Sequence, residues 1–289
     1  MSAVIEVEDL RFRYRKKAEP AIRDMSFTVE EGEIFGFLGP SGVGKSTTQK
    51  ILIGLLDGCG GAVRVWGRAP TAWKADYYRR IGVSFELPNH YLKLTGLENL
   101  QFFASLYPGK TEDPMRLLER VGLAGHADVR VSRYSKGMQM RLVFVRALLH
   151  RPRLLFLDEP TSGLDPTNAR IVKDIIRELR SEGRTIFLTT HDMATADQLC
   201  DRVAFVVDGR IAALDSPDEH KLTRSRRTVR VTYRAAEGDE LRHREFAIDR
   251  LADDETFHRL IRSGRVEALH SQEASLEDVF IDITGRTLR

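Results

Sequence analysis

Cysteine is nearly absent from this chain. Cys59 and Cys200 are the only two in 289 residues, and they are too far apart in sequence for metal-ligand spacing. A disulfide-stapled secreted scaffold is therefore excluded, and two free thiols in a reducing compartment are expected. Long apolar runs are missing as well. No segment approaches the roughly 18 consecutive apolar residues of a membrane-spanning helix, and runs such as Ile34–Leu38 and Leu154–Leu157 have the length of buried strands. The first ten residues are acidic and lack a basic start followed by an apolar stretch, so no secretory signal is expected. Nor is there an excess of one charge. Lys+Arg 45 against Asp+Glu 42 leaves +3, which gives nucleic acid no electrostatic case as the main partner. With 42% hydrophobic and 30% charged residues the composition is globular. The length accommodates one large domain, or one domain with a small companion. The expected location is cytoplasmic, with any membrane attachment made through a partner.

Alternating residues open the chain. Val4, Ile5 and Val7, then Phe12 and Tyr14, then Ile22, Met25, Phe27 and Val29 form runs separated by turn formers such as Pro20 and Gly32, which predicts short antiparallel strands. Ile34–Leu38 follows as a buried strand, then a Gly-rich turn and a helix over about Lys45 to Leu55. Between Leu94 and Leu149 the period becomes helical, at Leu97, Leu100, Phe103 and Leu106 and more loosely at Met115, Leu118, Val121 and Leu123. A mostly helical insert over about 87–150 is expected. Leu154–Leu157 and Ile186–Thr189 read as strands flanking a helix with the stripe Ile171, Val172, Ile175, Ile176 and Leu179, which stops near Gly183. Crossovers of that length imply a parallel sheet. Val203–Val207, Asp208-Gly209 and Arg210–Leu214 read as a hairpin.

After about Lys221 the composition changes: residues 224–289 carry 13 Arg, 13 acidic residues and no Lys, which marks off a second unit. Val229, Val231 and Tyr233 alternate as on a half-buried strand. Ser275-Leu276-Glu277-Asp278 has the form of a capping box opening a last helix, with Val279, Phe280 and Ile283 inward. The expected organisation is an α/β main domain over 1–222, with an N-terminal antiparallel β-layer and a helical insert, and a small α+β appendage over 223–289.

The chemistry is concentrated in a few short motifs. Gly39-Pro40-Ser41-Gly42-Val43-Gly44-Lys45-Ser46-Thr47 fits G-x-x-x-x-G-K-[ST] between a strand and a helix, the context of a phosphate-binding P-loop. Its glycines let backbone N–H groups turn onto phosphate oxygens, and the helix N-terminus adds partial positive charge. Lys45 is expected to reach the β- and γ-phosphates of a bound nucleotide, and the Ser46 hydroxyl to hold Mg²⁺. Leu154–Leu157 ends in Asp158 and Glu159. Beside a P-loop, Asp158 can hold Mg²⁺ through water and Glu159 can polarise the attacking water.

Tyr134-Ser135-Lys136-Gly137-Met138 opens a helix predicted to run to Leu149, shortly before Asp158 in sequence. Here the chain resembles the ATP-binding cassette (ABC) ATPases, whose signature Leu-Ser-Gly-Gly-Gln falls on these five positions with the serine and second glycine kept. The three departures resemble ATPase subunits of bacterial exporters for drugs, antibiotics or ions. The resemblance covers roughly residues 4–222 and implies a P-loop NTPase core of ABC type. By that resemblance Ser135 and Gly137 grip the γ-phosphate bound by the opposite subunit, and Asp165, in Ser162-Gly163-Leu164-Asp165, belongs to the D-loop at the dimer interface. His191 matches the switch histidine that contacts the γ-phosphate. Tyr14, expected on the first strand, matches the aromatic that stacks on adenine, its other reading being a core tyrosine. The Q-loop position carries Glu86 where the family has Gln. A carboxylate ligates Mg²⁺ well, the other reading being an exposed loop acid.

The resemblance also implies partners. A second copy, or a related cassette, would pair with this chain around two ATP molecules. An integral membrane permease supplied in trans would hold it at the inner face of the cell membrane, docked near Glu86–Leu106. The catalytic set would be Lys45, Glu159 and His191, the metal set Ser46, Glu86 and Asp158. The alternative is a soluble ABC ATPase acting on ribosomes or DNA. Those proteins resemble two fused cassettes or carry a long coiled-coil insert, neither of which is present. The Arg224–Arg230 cluster, alternating with Thr and Val, fits one solvated strand face.

Overall fold

The computed structural model describes residues 3–224, 228–235, 240–272 and 274–285. The described chain divides into two compact units after Asp215. In the first, β1 (Ala3–Phe12) and β2 (Ile22–Glu30) pair antiparallel, with Ile5, Val7 and Leu10 buried against Ile22, Met25 and Val29. The strand β3 (Ile34–Leu38) is buried at every position. The helix α1 (Lys45–Leu52) stops short of the expected Leu55, because Ile53 caps it and Gly54 turns with φ +75°. The strand β4 (Gly60–Val65) pairs with the outer edge of β1, and α2 (Ala75–Arg80) leads into β5 (Ile81–Ser84).

The insert holds α3 (Gly96–Ser105), α4 (Pro114–Arg120) and α5 (Lys136–Arg146), and no strand among the described residues. Each opens on a side-chain cap, from Thr95, Asp113 and Ser135 respectively, which satisfies N–H groups the helix itself leaves unpaired. The helix α5 ends at Arg146, earlier than the expected Leu149. Then follow β6 (Leu154–Asp158), α6 (Pro166–Ser181), β7 (Thr185–Thr190), α7 (Met193–Leu199), β8 (Arg202–Val207) and β9 (Arg210–Asp215). The last two strands form the expected hairpin.

One nine-stranded sheet results, in the order β4-β1-β2-β9-β8-β3-β7-β6-β5. The strands β3, β5, β6, β7 and β8 run parallel, which is why they read as continuous apolar runs. Their register positions the site. Leu38 pairs with Thr190, Asp158 with Thr189 and Ser84 with Leu157, so the loops leaving β3, β5, β6 and β7 emerge side by side.

A buried polar brace ties the segment after β5 to α5. Arg146 donates to the Asn89 carbonyl (2.8 Å) and to its Oδ1 (2.5 Å), with its guanidinium over the Phe103 ring. His90 Nε2 lies 3.0 Å from the Gln139 carbonyl, and its Nδ1 is buried with no partner among the described residues. Burial, aided by the charge of Arg146, pushes the His90 imidazole from 6.5 down to about 4. The unfolded chain therefore binds a proton at His90 between about pH 6.5 and 4 that the folded chain refuses. This contribution is complete above pH 6.5 and is lost as pH falls toward 4. In urea titrations, His90→Gln is expected to be less sensitive to acid over that window than the parent. An unchanged pH dependence would remove His90 from the acid response.

The second unit contains α8 (Pro217–Arg224), β10 (Thr228–Arg234), β11 (Leu241–Ala247), α9 (Glu255–Arg262), β12 (Val266–Gln272) and α10 (Leu276–Thr284). Its sheet has the order β11-β10-β12, antiparallel throughout. Val231, Phe246, Val279 and Phe280 are buried. The helix α10 opens on the expected capping box, Asp278 N–H donating to Ser275 Oγ (3.1 Å) and Ser275 N–H to Asp278 Oδ2 (3.0 Å). The helix α8 packs on α10, which is why the division falls after Asp215, ahead of the compositional break near 222. Of the Arg224–Arg230 cluster, residues 225–227 lie outside the described residues, and Arg230 pairs with Glu245 (3.0 Å).

Candidate nucleotide site

The turn from β3 to α1 can be made only by glycine at two positions. Gly39 has φ +154°, and a Cβ there would lie 2.3 Å from the Val206 carbonyl oxygen; Gly44 has φ +109°, and a Cβ would lie 2.7 Å from the Ala21 carbonyl oxygen. The loop thus packs backbone to backbone against the sheet and presents Ser41, Gly42, Gly44, Lys45, Ser46 and Thr47 to one cavity of about 410 Å³. Tyr14, Glu86, Asp158, Glu159 and His191 line the same cavity. Gly39, Pro40 and Val43 shape the loop without lining that cavity.

Lys45 is buried, with Nζ donating to the carbonyls of Gly39 (2.5 Å) and Pro40 (2.9 Å). Burial pushes its ammonium pKa down, and the charges of Glu159, Asp158 and Glu86 work against that shift. Asp158 ends β6, buried, and accepts from the Thr189 hydroxyl. Burial raises its pKa; the charge of Glu86 raises it further, while Thr189, Ser46 and Lys45 lower it. The three carboxylates thus face one buried cation.

Glu159 occupies the left-handed region with φ +49°, a conformation that costs a non-glycine residue about 1–3 kcal/mol unless its surroundings impose it. Here they do. Its N–H donates to the Thr189 carbonyl (2.9 Å). Its Oε1 accepts from the His191 N–H (2.9 Å) and lies 2.7 Å from His191 Nδ1, and its Oε2 accepts from the Thr190 hydroxyl (2.8 Å). The carboxylate is buried and oriented while the His191 ring remains about half exposed.

Tyr14 does not lie on a strand as expected. It follows the end of β1, since that strand pairs with β2 only as far as Phe12. Its hydroxyl bonds with Thr47 Oγ1 (3.1 Å), and its ring stands edge-on to Phe12 with centroids 5.0 Å apart. Lys17 and Ala21 also line the cavity and were not singled out from the sequence. Nor were Thr189 and Thr190 singled out as supports of the two carboxylates. Their signal was two adjacent hydroxyls closing an apolar strand just before His191.

Ser135, Gly137 and Asp165 lie outside this cavity. Ser135 caps α5, its Oγ accepting from the Met138 N–H (3.2 Å), and Gly137 sits against Leu164. Asp165 caps α6, accepting from the Asn168 backbone N–H (3.0 Å) and side-chain amide (2.5 Å), which hold its carboxyl below the usual range.

A parallel sheet with a P-loop at the C-terminal end of β3, and two carboxylates at the end of β6, defines a P-loop nucleotide-binding protein. The family described as "ABC transporter" matches residues 22–162, and the family described as "Fluoroquinolone efflux ABC transporter C-terminal domain" matches residues 227–273. A fluoroquinolones export ATP-binding protein of Mycobacterium tuberculosis is 67% identical over 285 residues, 99% of this chain and 94% of that protein. A solved ATP-binding subunit of an ABC transporter aligns with TM-score 0.69 at 32% identity, covering 76% of this chain and 92% of that one. A dimeric ATP-binding cassette in a post-hydrolysis state bound to ADP and Pi aligns with TM-score 0.67 at 25% identity, covering 73% and 98%. This chain belongs to the ATP-binding subunits of ABC transporters and is an ATPase of that family.

Proposed function

We propose that this chain energises export by a separate membrane permease, and that its cargo is of the fluoroquinolone class named for the M. tuberculosis relative. The observation that carries the ATPase role is the convergence of Lys45, Ser46, Glu86, Asp158, Glu159 and His191 on one cavity. The cargo rests on the 67% identity over nearly the whole chain. No helix among the described residues is long and apolar enough to cross a membrane, and in this reading the permease supplies the spans. The chain then sits at the cytoplasmic face of the membrane through that partner.

In this reading Lys45 and the loop N–H groups bind the β- and γ-phosphates, Tyr14 takes the adenine ring, and Glu159 orients the attacking water with His191 beside it. Ser135, Gly137 and Asp165, which are outside the chain's own cavity, serve the ATP of a second subunit. Mg²⁺ fits the donors present. Ser46, Glu86 and Asp158 offer hard oxygen atoms, and the mutual repulsion of the two carboxylates is relieved by a divalent cation. Among the described residues no group of three or more His, Cys, Asp and Glu forms a metal cage, in keeping with an ion that takes one or two carboxylates plus substrate phosphates. When bound, that ion supplies charge neutralisation at the phosphates.

Two experiments test this reading. The chain is expected to be recovered in the membrane fraction with its permease and to hydrolyse ATP. Co-sedimentation with ribosomes, without membrane recovery, would favour the soluble alternative. Glu86→Gln keeps a hard amide oxygen and should retain ATPase activity, whereas Glu86→Ala should raise the Mg²⁺ concentration for half-maximal rate several-fold. An identical Mg²⁺ titration for Glu86→Ala would leave Glu86 as a loop acid only.

A further inference from the structure

The second unit contains a cleft of about 260 Å³ between its sheet and α9. Its lining includes Tyr233, Leu260 and four exposed arginines, Arg234, Arg244, Arg259 and Arg265. Among the described residues no carboxylate lines it. Residues 224–289 hold as many acids as arginines, so this separation of charge does not follow from composition. Away from the cleft Arg230 pairs with Glu245 (3.0 Å) and Arg242 with Glu240 (3.1 Å), while Arg250 and Arg262 make no ion pair with a described residue; at the cleft Arg234 pairs with Glu267 (2.7 Å). Arg244, Arg259 and Arg265 make no ion pair with any described residue.

Arg244 is placed unusually. Its register partner is Val231, which is fully buried, and it shares a sheet face with Phe246, over whose ring its guanidinium lies. A charge on the core face of an edge strand can serve to discourage strand pairing with another chain. One such charge suffices for that. It does not account for two further arginines that line the same cleft from α9 and from the turn after it. Guanidinium groups gathered without counter-charges repel one another, and an oxyanion that accepts bidentate bonds relieves the repulsion.

We propose that this cleft binds a small organic anion, a carboxylate carried on an apolar body of one or two rings, so that the ATPase subunit has a ligand site separate from its nucleotide cavity. The apolar lining selects the body, and the arginines select the charge. The volume lies just below the roughly 300–1,000 Å³ usual for ligand pockets, which limits the ligand to a compact one.

The test is calorimetry on the full chain with ADP saturating the nucleotide cavity and naphthalene-1-carboxylate as the probe. Saturable binding is expected. The neutral 1-naphthamide should bind at least about tenfold more weakly, since it loses the charge-assisted bonds. The double variant Arg244→Gln/Arg259→Gln should lose more than about tenfold in affinity for the carboxylate while keeping its circular dichroism and its ADP binding. The control Arg230→Gln, which removes an arginine already paired with Glu245, should bind like the parent. Absence of saturable binding to the parent overturns the proposal. So does equal affinity for the amide, or an unchanged affinity in the double variant. Inorganic phosphate binding as tightly as the carboxylate would overturn the apolar half of the assignment.

Discussion

With ATP present, Glu159→Gln is expected to elute from a sizing column as a dimer while the parent chain elutes as a monomer. The substitution keeps the shape of a side chain held at both ends. A glutamine oxygen can still accept from the His191 N–H, and its amide can donate to the Thr190 hydroxyl, so the pinned geometry survives. The amide cannot take a proton or orient water as a carboxylate does, so hydrolysis should fall by about 10²-fold or more. If hydrolysis reopens a two-subunit sandwich, slowing it traps the closed form. Adding Ser135→Arg should abolish the dimer, because bulk and charge then stand where the partner's γ-phosphate would meet the start of α5. Ser135 lies outside its own chain's cavity, so the second change leaves the chain's own ATP contacts alone. A dimer of equal stability in the double variant would remove Ser135 from the neighbouring site.

Lys45→Ala should behave in the opposite way in binding and in the same way in turnover. Lys45 is the cation that Asp158, Glu159 and Glu86 share, and it is buried. Its loss takes from the triphosphate its main buried positive partner and leaves the carboxylates facing the phosphates unopposed. Turnover should fall by about 10²-fold or more. ATP affinity should fall too, whereas Glu159→Gln keeps it. The two variants therefore separate binding from chemistry. Parent-like hydrolysis by folded Lys45→Ala would refute the P-loop assignment.

Much of this was legible in the residues, for identifiable reasons. A phosphate-binding turn needs glycine where a Cβ would meet backbone, so Gly39 and Gly44 announce the loop before any contact is known. Parallel strands covered on both faces must be apolar throughout, so Ile34–Leu38 and Leu154–Leu157 were recognisable as runs. Helix ends were less legible. The helix α1 stops at the left-handed Gly54, and α5 gives way to tighter turns in which the Leu148 and Leu149 N–H groups donate to the Val145 and Arg146 carbonyls, while apolar residues continue past both ends.

The sequence by itself determined the β–α–β order, the P-loop, the acids closing β6 and the existence of a second unit. Each is written in neighbouring residues, because local backbone conformation and side-chain period depend on near neighbours. Only the tertiary structure decided how Glu159 is held, since its partners Thr190 and His191 are 31 and 32 residues away and reach it through the register of β6 with β7. It also decided that Tyr14 leaves the strand to meet Thr47, and that Ser135 and Asp165 stand outside the cavity that Lys45 enters. It assigned α8 to the second unit and left three arginines of one cleft without an ion pair among the described residues. These are contacts between residues distant in the chain, and their physical cause is packing and charge in three dimensions, which no local pattern encodes.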